Sequence, residues 1–148
     1  MVYPGDTLVP ALYKENTMRQ RAFEFCRREG VCLLVIEFEP SRHAGTKSVF
    51  IEDEEKILSV VTAVMTTSWN GGTHGEHSIG YYRATLFSPP DWVAAHWWNH
   101  GGRRIILHLA CTDRSVYMNG QEMFDQNGSV RKTLEALCAT QGLVSPSY

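Results

Sequence analysis

The chain has 148 residues, a length suited to one domain with a real core. Fourteen Lys and Arg face sixteen Asp and Glu, a formal net charge of −2, which argues against a generally basic nucleic-acid binder and a polybasic membrane anchor. Hydrophobic content of 43% excludes an intrinsically disordered chain, and the longest apolar run, Val31 to Ile36, is too short to span a bilayer.

Residues 1–16 contain two Pro and one Gly with no clear period and are expected to form an extended arm. Residues 17–29 admit two readings. As a helix they offer a weak stripe of Met18, Ala22 and Cys26. As a strand they place Arg19, Arg21, Phe23, Phe25 and Arg27 on one face. Gly30 can supply a positive φ, and the run Val31 to Phe38 is a strong buried strand, so a hairpin is the favoured reading. Pro40 to Thr46 is a loop, and Lys47 to Ile51 a short strand. Asp53 then stands as an N-cap before Ile57, Leu58, Val61, Val64 and Met65 at helical spacing. The acids Glu52 to Glu55 suit the positive end of that helix.

Ser68 to Gly75 is a loop by composition, and Ile79 to Phe87 alternates as a strand until Pro89-Pro90. Trp92 to Trp98 fits a strand or a short helix. Arg103 to Cys111 is a strong strand, and Ser115 to Phe124 is strand-like around an Asn119-Gly120 hairpin signal. Ser129 is expected to cap a last helix carrying Val130, Leu134, Leu137 and Cys138, stopped near Gly142. The order is arm, strands, helix, loop, strands, helix: an α+β single domain over residues 17–148. Its two units, about 17–69 and 77–142, are each an antiparallel sheet followed by a helix.

The charge total hides local bias. Ten of the basic residues are Arg, and six of these sit in pairs: Arg19 and Arg21, Arg27 and Arg28, Arg103 and Arg104. Without the acids at 52–55, fourteen basic residues would face twelve acidic ones. The four Cys (26, 32, 111 and 138) form no C-x-x-C pair and have apolar neighbours, so they read as small buried hydrophobes in an intracellular, reducing compartment. No signal or transit peptide is visible in the first ten residues.

Three constellations bear on chemistry. His74 with His77, and His96 with His100, carry metal-ligand spacings, but the first pair lies in a Gly-rich stretch and the second lacks the Glu of a hydrolytic zinc motif. They support only the alternative of a small metal-dependent enzyme, and no cofactor is expected. His108 and Cys111 fall on opposite faces of one strand, and no nucleophile elbow or nucleotide fingerprint occurs, so an enzyme is not expected. The third constellation is Arg with aromatics on strands. Arg19, Arg21, Arg27, Arg28, Arg83, Arg103 and Arg104 suit phosphates, while Phe23 and Tyr81 suit stacking on bases. A further alternative is a protein-interaction subunit docking through the Trp-rich stretch 92–98.

The twice-repeated order of strands and helix resembles the Whirly-type fold shared by plant single-stranded-DNA-binding Whirly proteins and the kinetoplastid mitochondrial guide-RNA-binding (MRP) proteins. Arg27 to Pro40 resembles that family's basic-tipped hairpin and buried strand. Val49 to Ile51, with the helix from Asp53, resembles its first strand-helix step, and Gly102 to Cys111, then Ser115 to Phe124 with the helix from Ser129, its second unit. The lysine-glycine-lysine signature of the plant branch is absent, with Tyr13-Lys14-Glu15-Asn16 in its place, so the guide-RNA-binding branch is the closer. The resemblance implies a tetramer of like or related subunits, a more basic partner among them, with sheets forming an outer RNA surface. It also implies phosphate-led binding and annealing of single-stranded RNA (or DNA) in mitochondrial RNA processing or editing.

Overall fold

Residues 9–29 carry Leu, Met, Ala, Glu, Gln, Arg and Lys at most positions, side chains that lose little freedom in a helix. In the computed structural model, which describes residues 9–39, 45–69, 82–90, 102–111, 115–125 and 128–140 (for 9–16 and 69, the backbone alone), they form helix α1, Val9–Glu29. This overturns two expectations: the extended arm from Val9 onward, and the hairpin strand over 17–29. Gly30 does take a positive φ, of 71°, but as the residue after a helix rather than as a hairpin tip. The Val31 amide reaches back to the Cys26 carbonyl at 2.9 Å, the long bond of a Schellman ending. Arg27 and Arg28 occupy the last turn, where cations favour the negative end of the helix.

Strands β1 (Leu33–Phe38) and β2 (Lys47–Ile51) follow, paired antiparallel with Val35 opposite Phe50. Helix α2, Glu54–Met65, begins as expected: the Asp53 carboxylate accepts from the Lys56 amide at 3.1 Å. Ser68–Trp69, expected as loop, forms the two-residue strand β3. Strands β4 (Tyr82–Phe87), β5 (Ile105–Cys111), β6 (Ser115–Met118) and β7 (Gln121–Phe124) complete the sheet. Asn119 and Gly120 both take positive φ, the turn that a two-residue hairpin needs. Arg103 and Arg104 lie just before β5 rather than within it.

Helix α3, Ser129–Thr140, is capped differently from the expectation. Ser129 lies inside the first turn, and the buried Asp125 carboxylate accepts from the Ser129 and Val130 amides at 2.9 and 3.1 Å. A carboxylate can serve two amides at once, which a single hydroxyl oxygen does less well. The expected stop near Gly142 lies outside the described residues.

The fold is α+β: the described residues form three helices and one antiparallel sheet of seven strands in the order β2-β1-β4-β5-β6-β7-β3. Strands of both halves of the chain meet in this single sheet, since β1 pairs with β2 on one side and β4 on the other. The core joins Ala22 of α1, one face of α2, Val130, Leu134, Leu137 and Cys138 of α3, and alternate strand residues such as Leu34, Ile36, Ala84, Leu86 and Leu109. All three helices therefore cover one sheet face. Positions of the other parity, including Phe50, Glu37, Arg83, Thr85 and His108, lie on the opposite face. Among the described residues no helix is long and apolar enough to cross a membrane.

Candidate nucleic-acid interface

The arginines that the sequence singled out fall into three places. The first is the outer side of α1. On a helix, Arg19, Phe23 and Arg27 recur every four residues and form one row, whereas the strand reading had added Arg21 and Phe25 to them. Arg19 donates to Glu55 of α2 at 2.8 Å, an exposed ion pair that ties the two helices. Arg21 and Arg27 are exposed. Phe23 keeps 46% of its surface open to solvent. With Gln20, Glu24, Arg27 and Arg28 it lines a shallow groove of about 570 Å³.

The second place is the C-terminal end of α1. Arg28 lies 5.8 Å from the centroid of the Phe25 ring and 3.5 Å from the Glu29 carboxylate. Arg104 comes from 75 residues further along to donate to the Glu29 carbonyl at 3.3 Å and to reach its carboxylate at 3.4 Å. Ser88 accounts for this meeting: its hydroxyl accepts from the Arg104 amide at 2.9 Å, and its carbonyl accepts from Arg103 at 3.1 Å. The Arg103 guanidinium also reaches the Cys32 sulfur at 3.1 Å, so Arg103 is half-buried and spends its donors inside the protein.

The third place is the sheet face away from the helices. Arg83 is exposed there, opposite Glu37 on β1 and Ala110 on β5. On the same face Thr85 and His108 share a hydrogen bond of 3.0 Å. His108 and Cys111 point to opposite faces of β5, as their spacing predicts. The structure therefore gathers Arg27, Arg28, Arg104 and Phe23 around α1 and leaves Arg83 on another surface. Tyr81, His74, His77, His96, His100 and the Trp-rich stretch 92–98 lie outside the described residues. Among the described residues no group of three or more His, Cys, Asp and Glu side chains could hold a metal ion.

A second cavity adjoins the groove, sharing Phe23 and Arg27 with it. It holds about 460 Å³ between the end of α1 and the start of α2. Cys26, Val31, Ile57, Leu58 and Pro89 supply apolar surface, and the exposed residues Glu52 and Glu54 stand in its lining. Burial, with the Glu54 charge adding to it, pushes the Cys26 thiol up to about 11, so it stays protonated at neutral pH and acts as apolar wall. Sequence reasoning missed this cavity because the strand reading of 17–29 separates Phe23 from Cys26. The signal that finds it is the helical ending at Gly30, which turns Val31 back onto Cys26.

Comparison of the chain with protein-family models, with curated proteins and with solved structures finds no match.

Proposed function

We propose that this protein is a non-enzymatic binder of single-stranded nucleic acid, RNA foremost, held through the outer side and C-terminal end of α1. The observation that carries this reading is the half-exposed Phe23 ring beside Arg27 and Arg28 in one groove, with Arg104 brought to the same helix end. An exposed ring offers a plane for a base, and guanidinium groups hold phosphate oxygens by paired hydrogen bonds. The neighbouring carboxylates of Glu24 and Glu29 temper the local charge, so affinity is expected to be modest for the chain alone.

The finer parts of the resemblance extend the proposal. These are the two-unit Whirly arrangement, assembly with a related and more basic subunit into a tetramer, and RNA annealing in the mitochondrion. Added positive charge from such a partner would complement a chain of net charge −2. Native mass measurement with and without RNA tests the assembly.

Binding of a labelled oligouridine, followed by anisotropy over a range of salt, tests the central reading. Three phosphate contacts predict a log–log slope of about −2, from roughly −0.7 per phosphate on a single strand. The double variant Arg27→Ala/Arg28→Ala is expected to lose about tenfold in affinity and to flatten the slope. A slope near zero, or an unchanged affinity in that variant, overturns the reading.

A further inference from the structure

We infer that the cavity between α1 and α2 takes an unpaired guanine base of the bound strand. This rests on the nucleic-acid reading above and adds a base preference to it. The volume of about 460 Å³ lies within the range of cavities that enclose small ligands. Its apolar surface, from Val31 and Pro89 among others, suits the faces of a flat heterocycle, and Phe23 stands at the boundary with the phosphate-binding groove. A base entering from that groove keeps its phosphate beside Arg27, which lines both cavities.

The choice of base follows from the polar groups. Glu52 and Glu54 are carboxylates, which accept hydrogen bonds and donate none when ionised. Guanine alone among the four common bases carries adjacent donors, N1–H and the N2 amino group, on its Watson–Crick edge. One carboxylate can accept from both in parallel. Adenine and cytosine place a ring acceptor beside their amino donor, and uracil flanks its single donor with two carbonyls. A carboxylate facing any of these gains at most one bond and meets a repelling lone pair. Among the described residues, Glu52 and Glu54 are the acidic members of the cavity lining, and Glu24 and Glu29 lie outside it.

The test uses the full chain with a short oligouridine and with the same strand carrying one central guanine, adenine or cytosine. The guanine strand is expected to bind about tenfold more tightly than the others, the lower end of the discrimination that a good paired contact supplies. Glu52→Gln/Glu54→Gln, at two exposed positions, is expected to abolish that preference while leaving the salt slope of the oligouridine in place. Equal affinity for all four strands, or a preference that survives in the double variant, overturns the inference and leaves the phosphate reading standing. If no strand binds, the proposed function falls, and titration with guanosine monophosphate decides the cavity alone. Binding that the double variant loses would mark a free nucleotide as the source of the base, and no binding would overturn the inference as well.

Discussion

Helices α1 and α2 lie side by side over the same sheet face, yet they are built on opposite plans. Helix α2 buries Ile57, Leu58, Val60, Val61, Ala63 and Val64, half of its twelve residues. In the described part of α1, Ala22 alone is fully enclosed, with Phe25 and Cys26 packed partly against the core. Helix α2 is therefore structural in the plain sense that the core fails without it. The described part of α1 leans on the core through Ala22 and, in part, Phe25 and Cys26, and turns Arg19, Arg21, Phe23, Arg27 and Arg28 to the surface. A helix so loosely invested can carry Arg and an exposed ring at little cost to stability, which is what a binding surface needs.

Substitutions can break or sharpen this contrast. The largest effect is expected on α2, where Ile57→Ala should cost about 3 kcal/mol in urea unfolding, as for other buried aliphatic truncations. Gly30→Ala should come next, at about 1–2 kcal/mol, because its φ of 71° strains any residue with a Cβ. An added Cβ would meet only ordinary contact with Pro89 at 3.8 Å, so strain rather than clash sets the cost. If that loss exceeds the loss at Ile57, α1 anchors the core more firmly than its burial indicates.

The thiols give a pH-dependent version of the same contrast. Burial pushes Cys111 of β5 up to about 12 from an ordinary 9.0, and Cys138 of α3 and Cys26 to about 11. The folded state thus holds protons that the unfolded chain releases first. The stabilisation is fully present below pH 9 and is lost as pH rises through 11 to 12. For fully buried Cys111 the loss between pH 8 and pH 10 should be roughly 1 kcal/mol, and Cys111→Ala should flatten that part of the profile. The half-exposed Cys26 of α1 should contribute less, which Cys26→Ala checks.

Phe23→Ala should change stability by less than about 0.5 kcal/mol yet weaken oligouridine binding several-fold. The smallest effect is expected at the Arg19–Glu55 pair. Its side chains are 61% and 74% exposed, and Glu55→Gln should shift the unfolding midpoint barely above error.

Much of the sheet was legible because alternation is a local signal. The runs at Leu33–Phe38 and Lys47–Ile51 bury every second residue over at least part of their length, Ile105–Cys111 is apolar enough to read as a strand without alternating, and Asn119-Gly120 marks its own turn. Helix α2 was legible for the same reason, with its cap at Asp53 included. Helix α1 was not, because Met18, Ala22 and Cys26 are four apart, which fits a helix face and an alternating strand face equally well. Gly30 then supported either ending. The tie is broken by burial of Ala22 in the core and by the return of Val31 to Cys26. The site inherited that ambiguity: the helix regroups the arginines that the sequence singled out, and Ser88, which fixes Arg103 and Arg104, announces nothing in the sequence.

The sheet order β2-β1-β4-β5-β6-β7-β3 has a consequence for how the chain must be made. Residues before 70 supply both outer strands, while the strands between β1 and β3 arrive later. A nascent or truncated chain ending before β4 would hold β1 and β3 with nothing to join them, and α2 would have no complete sheet to rest on. Closing the sheet therefore waits on the pairings of β1 with β4 and β3 with β7, both distant in sequence, and folding is expected to be slow for a chain of this size. Fragments divided between the halves should be unstructured alone and regain the fold only when mixed.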